Sequence, residues 1–119
     1  MPEYPTSLNA ETLDAFLTQR PHSVIHLDAK WDAYGYMLQR RIQEIAGAHR
    51  ESTSFGFIDV DDNQEQARSL KVGNVPACAY FRGCEHVTTI TGLNQDIETN
   101  LFILMRGDKP DGSARIKLD

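Results

Sequence analysis

Cysteine is scarce in this chain: Cys78 and Cys84 are the only two in 119 residues. That excludes a small scaffold stapled by disulfides. Both fall in one strand-turn segment. If extended they lie about 20 Å apart at roughly 3.3 Å per residue, whereas a disulfide needs Cα atoms within about 7 Å. The two thiols are therefore expected to stay unpaired. Long apolar runs are missing as well, and nothing approaches the roughly 20 residues that span a bilayer. The start, Met1-Pro2-Glu3-Tyr4-Pro5, has neither the basic residues nor the apolar stretch of a secretory signal. A cytoplasmic, membrane-free protein is the expectation.

Positive charge is also in short supply. Twelve Lys and Arg stand against 17 Asp and Glu, for a formal net charge of −5. No basic stripe exists to neutralise phosphates, so no nucleic-acid partner is expected. The densest basic spot, Arg40-Arg41, reads as a solvated helix face. The four histidines, His22, His26, His49 and His86, show no metal-ligand spacing with one another or with the cysteines. Asp59, Asp61 and Asp62 lack the glycine and closing glutamate of a calcium loop. No nucleophile elbow, phosphate-binding loop or dinucleotide fingerprint is present, so neither a metal nor a cofactor is expected.

What remains is a pattern of alternating helices and strands. Asn9 suits a helix cap before Leu13, Phe16 and Leu17, and Pro21 ends that helix. Val24 to Leu27 reads as a short buried strand. From Tyr34 to His49, Leu38, Ile42, Ile45 and Ala46 share one helical face. Phe55 to Val60 is a strand, and Gln64 to Leu70 a short helix. Ala77 to Phe81 and Val87 to Thr91 form a hairpin through Arg82-Gly83-Cys84-Glu85. A last helix runs from about Asn94 to Arg106, with Gly107 as its C′ residue. The polar remainder, 108–119, reads as a largely unstructured tail after a domain of 1–107. The order α-β-α-β-α-β-β-α predicts an α/β fold, a mixed central sheet with helices on both faces.

Three segments in register resemble thioredoxin. Leu27-Asp28-Ala29-Lys30-Trp31 is similar to the strand that leads into the family's Trp-Cys-Gly-Pro-Cys motif. Phe57-Ile58-Asp59-Val60-Asp61 is similar to its third strand. Val72-Gly73-Asn74-Val75-Pro76, with the following hairpin and Gly92, is similar to its cis-proline loop. The resemblance spans about residues 20–106 and implies a thioredoxin-like three-layer α/β/α sandwich with a cis Val75-Pro76 bond.

It also implies departures. Laid on the motif, the chain reads Trp31-Asp32-Ala33-Tyr34-Gly35, so Asp32 and Gly35 stand at the two cysteine positions. Dithiol exchange needs one thiolate to attack and a second thiol to resolve. A carboxylate does neither. The family's buried acid and its lysine partner correspond to His26 and Phe57, and His26 reads as a core histidine with one satisfied nitrogen.

The expectation is a chain without oxidoreductase activity, a polypeptide-binding or accessory, chaperone-like module. Trp31, Asp32, Tyr34, Tyr36, Val75, Pro76 and Gly92 would form its peptide-binding face, because the family holds substrate polypeptides there. The partner would be a protein or extended polypeptide segment. Redox-inactive proteins of this fold include accessory proteins of hydrogenase maturation; Leu104-Met105-Arg106-Gly107 has a slight likeness to their ending, too short to assign. Two alternatives stand beside this reading. Cys84, in the hairpin turn, would serve a monothiol redox protein or thiol sensor, while Cys78 reads as a small buried hydrophobe. A subunit whose fold serves only assembly is the other.

Overall fold

The computed structural model describes residues 5–117. The start 1–4, read above as lacking a signal's features, and tail residues 118–119 lie outside the described residues. In chain order the elements are β1 (Thr6–Ser7), α1 (Leu13–Leu17), β2 (His22–Asp28), α2 (Gly35–His49), β3 (Thr53–Asp59), α3 (Gln64–Ser69), β4 (Ala77–Arg82), β5 (Glu85–Thr91) and α4 (Ile97–Met105). The sheet order is β1-β3-β2-β4-β5. β1 and β2 lie parallel to β3, β4 is antiparallel to β2, and β5 is antiparallel to β4.

Alternation along the strands builds the two outer layers. Val24, Phe55, Cys78, Tyr80 and Ile90 face α2 and α4, packing against Leu38, Ile42, Ala46, Ile97, Leu101 and Leu104. Ile25, Leu27, Ile58, Ala79 and Phe81 turn the other way, onto Phe16 and Leu17 of α1 and onto Leu70 after α3. The apolar spacing expected on α2 is thus the face that is buried, with Ile45 at its margin. β2 is central and has helices on both sides, so its burial runs unbroken from Ser23 to Asp28.

The structure corrects several expectations. β1 is two residues long and carries no apolar alternation, so hydrophobic periodicity gives no sign of it; Leu8 N–H extends it by donating to Phe57 O at 2.8 Å. Asn9 starts a turn: its Oδ1 accepts the Glu11 and Thr12 amides, and regular helix begins only at Leu13. The last helix starts at Ile97, capped by Asp96, whose side chain accepts the Thr99 amide at 3.1 Å.

The pair Arg40-Arg41 does not form one solvated face. Arg40 is exposed, but Arg41 turns inward and donates to the carbonyls of Gln95 and Leu93, tying α2 to the loop before α4. Nor are residues 108–117 unstructured. Pro110 is buried, Asp96 N–H donates to Ala114 O at 2.9 Å, and Ile116 N–H donates to Asn94 O at 2.7 Å. The Arg115 guanidinium reaches Thr91 O and Asn94 Oδ1, both at 3.0 Å. These are backbone and polar contacts, for which hydrophobic periodicity carries no signal.

Candidate functional site

β2 delivers two polar side chains to the α2 face of the sheet. His26 and Asp28 are two residues apart, so they point the same way. They are 1% and 3% exposed. Asp28 Oδ1 accepts the Ala29 amide at 2.8 Å, and Oδ2 lies 3.1 Å from His26 Nε2. A carboxylate only accepts, so Nε2 carries the hydrogen, and in the neutral ring Nδ1 is then an acceptor. The His26 ring meets Phe57 edge-on, with centroids 5.3 Å apart, as neighbours in the β2–β3 register must.

The loop from Ala29 to Tyr34 then turns the chain into α2. Asp32 organises it: its backbone N–H donates to Ala29 O at 3.1 Å, and its Oδ1 accepts the Tyr34 amide at 3.1 Å. Its carboxyl also adjoins that of Asp28, and the two are driven apart in proton affinity. Burial works to raise Asp28, but the hydrogen bonds it receives from His26 and the Ala29 amide, with the adjoining Asp32 carboxyl, outweigh burial and hold it below the usual carboxylate range. Burial and the Asp28 carboxyl push Asp32 up, against the opposing Tyr34 amide. Lys30, the nearest cation in sequence, lies instead 3.8 Å from Asp59 and 3.9 Å from Asp62.

Gly35, the first residue of α2, has no room for a side chain. A Cβ built there would sit 1.8 Å from Asp28 Oδ2. The Asp28 carboxylate therefore fills the space into which any larger residue at position 35 would project.

Of the residues singled out in the sequence, Asp32 and Tyr36 line an open cleft of about 190 Å³ together with His26, Asp28, Gln39 and Phe57. Trp31 and Tyr34 stand in the loop beside it, 71% and 64% exposed, and Tyr36 is 58% exposed. The Arg40 guanidinium lies over the Tyr36 ring, 5.8 Å from its centroid. Val75 and Pro76 are half-buried and joined by a cis bond. They approach the same end of β2 from its other side, because Ala77 pairs with Leu27. Gly92, at φ +124°, donates its N–H to Pro76 O at 2.9 Å. The structure thus joins Pro76 to Gly92 directly and places Asp32 with Tyr36, but the cleft walls do not include Val75, Pro76 or Gly92. Arg115 covers Gly92, its guanidinium 2.8 Å from where a Cβ would be.

The two thiols lie elsewhere. Cys78 is fully buried in β4 and its thiol is pushed up by burial, which makes it inert. Cys84 is exposed in the hairpin turn, and both are free. Among the described residues no group of three or more His, Cys, Asp or Glu is placed to hold a metal ion. No helix among them is long and apolar enough to cross a membrane.

The thioredoxin family profile matches residues 5–103. The chain belongs to the thioredoxin family. It is 30% identical over 90 residues to the thioredoxin-like protein CXXS1 of Oryza sativa subsp. japonica, covering 72% of this chain and 67% of that protein. Its fold superposes on a mutant thioredoxin from Halobacterium salinarum NRC-1 with a TM-score of 0.72 at 25% identity, covering 92% and 96% of the two chains. Mitochondrial thioredoxin 3 of Saccharomyces cerevisiae in its oxidized form shares the fold, with a TM-score of 0.66 at 23% identity over 87% and 92% of the chains.

Within that family the residue that sequence reasoning passed over is Asp28. It stood in the quoted segment without a role. Its signal was the spacing Val24-x-His26-x-Asp28, which puts two titratable groups on one face of a strand otherwise wholly buried. The pairing of Asp28 with position 35 is set by the close approach of α2 and has no counterpart in the linear pattern.

Proposed function

We propose that this thioredoxin-family chain works as a non-catalytic module that binds an extended polypeptide. The observation that carries the reading is the Asp28 carboxylate occupying the space of a side chain at position 35, while Asp32 heads the same loop and both cysteines lie elsewhere. A site built this way has neither an attacking nor a resolving thiol, and it holds its space with hydrogen-bonded carboxyls instead. An insulin-reduction assay with dithiothreitol is expected to run at the uncatalysed rate. Catalysis that survives Cys78→Ala and Cys84→Ala would overturn the reading.

The binding half rests on Trp31, Tyr34 and Tyr36. Three large rings exposed within six residues supply rigid apolar area at low side-chain entropy cost, the usual composition of binding hot spots. Val75 precedes a proline and is biased toward extended geometry, and its N–H and C=O pair with no other backbone group among the described residues. An incoming strand would find partners there. With no covalent trap, affinity comes from contacts alone, and a Kd in the micromolar range, about −8 kcal/mol, is expected. Trp31→Ala is expected to weaken binding by about 1–3 kcal/mol while the domain stays folded. Calorimetry on a captured partner peptide measures it; an unchanged Kd, or a partner that maps to the Cys84 hairpin, refutes this face.

A further inference from the structure

The cleft below the aromatic loop holds two buried acceptor atoms that nothing in the protein satisfies. One is His26 Nδ1, on a ring 1% exposed whose other nitrogen is committed to Asp28. The other is Asp32 Oδ2, whose companion oxygen takes the Tyr34 amide. Buried polar atoms without partners are uncommon and each calls for a reason. With the His26 ring neutral and Asp32 ionised both are acceptors, both residues line one open cleft, and Asp28 lies between them. Such a set is complementary to a group with several N–H donors and a positive charge.

We propose that this cleft takes the cationic nitrogen end of a lysine or arginine side chain, seated among Asp28, Asp32 and His26. The inference rests on the polypeptide-binding reading and names what the bound segment must carry. A cation of this kind would donate to Asp32 Oδ2 and His26 Nδ1 and face the Asp28 carboxylate. Of the protein's own cations, Lys30 also lines the cleft, but its Nζ is drawn to Asp59 at 3.8 Å and Asp62 at 3.9 Å, and Arg40 lies over Tyr36. The net charge of −5 favours the approach of a basic segment. Tyr36 and Phe57 wall the cleft with rings against which an alkyl stem or a guanidinium can lie.

Binding is linked to a proton. In the empty cleft two carboxyls adjoin, and Asp32 is the one pushed toward its protonated form. A bound cation favours both as carboxylates and so opposes the upward push on Asp32. The other charged or titratable groups facing the pair are His26 on β2, Lys30 in the loop, Tyr36 on α2 and the Cys78 thiol on β4, with Asp59 of β3 held to Lys30. Affinity therefore rises with pH while Asp32 is being deprotonated and levels off above that range.

Small probes separate this from the groove hypothesis. N-acetyl-arginine N-methylamide and N-acetyl-lysine N-methylamide are titrated into the ¹⁵N-labelled full chain, with the uncharged citrulline analogue as control. Trp31, the sole tryptophan, gives a parallel fluorescence readout. At least one cationic probe is expected to shift the amides of Asp32, Gly35 and Tyr36 with a Kd near about 1 mM, and the stronger of the two identifies the side chain. Asp32→Asn is expected to weaken that binding about tenfold, the effect of losing one charged partner. It should also flatten the pH dependence. Equal shifts from the citrulline analogue, no shifts in this cleft from either cation, or an unaltered pH profile in Asp32→Asn would overturn the proposal. If the cationic probes bind while extended polypeptides do not, the cation site stands and the groove reading falls; the reverse result sinks only the cation site.

Discussion

Gly35→Ala is expected to destabilise the domain by about 3 kcal/mol, a large loss for a chain of this size. An added Cβ would lie 1.8 Å from Asp28 Oδ2, far inside contact distance, so one of the two must move. The start of α2 is anchored by Leu38 and Ile42 packed on the sheet, which leaves the carboxylate to yield. Its displacement breaks the 3.1 Å contact with His26 Nε2 and the 2.8 Å bond from the Ala29 amide. Hydrogen bonds to a charged group are worth about 1.5–3 kcal/mol each. Alanine's better helix propensity returns up to about 1 kcal/mol, leaving the net figure above. Urea denaturation of Gly35→Ala, Asp28→Ala and the double variant measures it. Removing the Asp28 carboxylate opens the space, so the double variant should be less destabilised than the two single losses added together. A Gly35→Ala variant within about 0.5 kcal/mol of the parent would show that the carboxylate is not held as described.

Gln95→Leu is expected to cost about 4 kcal/mol although leucine nearly matches its volume. Gln95 is fully buried. Its Nε2 donates to Ile90 O at 2.8 Å and to Gly92 O at 3.1 Å, and its Oε1 accepts the Tyr80 hydroxyl at 2.8 Å. Leucine would strand the Tyr80 hydroxyl as a donor and take the side-chain donor from two carbonyls, of which Gly92 O keeps only the longer bond from the residue 95 backbone N–H at 3.4 Å, at about 1–3 kcal/mol for each group left without a partner. The Tyr80 hydroxyl still accepts from Asn100 Nδ2 at 3.4 Å, but it loses its own acceptor. The consequence reaches the candidate groove, because Gly92 is tied to Pro76. Amide exchange at Gly92 should accelerate in Gln95→Leu before global unfolding sets in. Adding Tyr80→Phe removes the stranded donor and should restore part of the loss. If the double variant is no more stable than Gln95→Leu alone, Tyr80 and Gln95 are not one coupled network.

The architecture was legible because each element repeats its message. Leu38, Ile42 and Ala46 recur at helical spacing, and Val24 to Leu27 is apolar but for His26, so burial on one face or on both could be read directly. The cis bond at Val75-Pro76 and the turn at Gly92 came from likeness to a known loop, which a local pattern alone would not supply. Asp32 was legible as a site residue for the same reason: it stands at a position where the family's chemistry is conspicuous.

The sequence by itself determined the fold class, the identity of the residues following Trp31, and the separation of Cys78 from Cys84. These follow from local spacing, since periodic burial and chain reach act over a few residues at a time. Only the tertiary structure decided that Asp28 fills the place of a side chain at Gly35, that Arg41 binds the Leu93 and Gln95 carbonyls, and that 108–117 packs back along Asn94 to Asp96. Each of these depends on how the path of the chain, rather than local spacing, brings two segments within a few ångströms. Such contacts are made by single polar atoms or by backbone, which carry no period, and their partners are chosen by the packing of helices on the sheet.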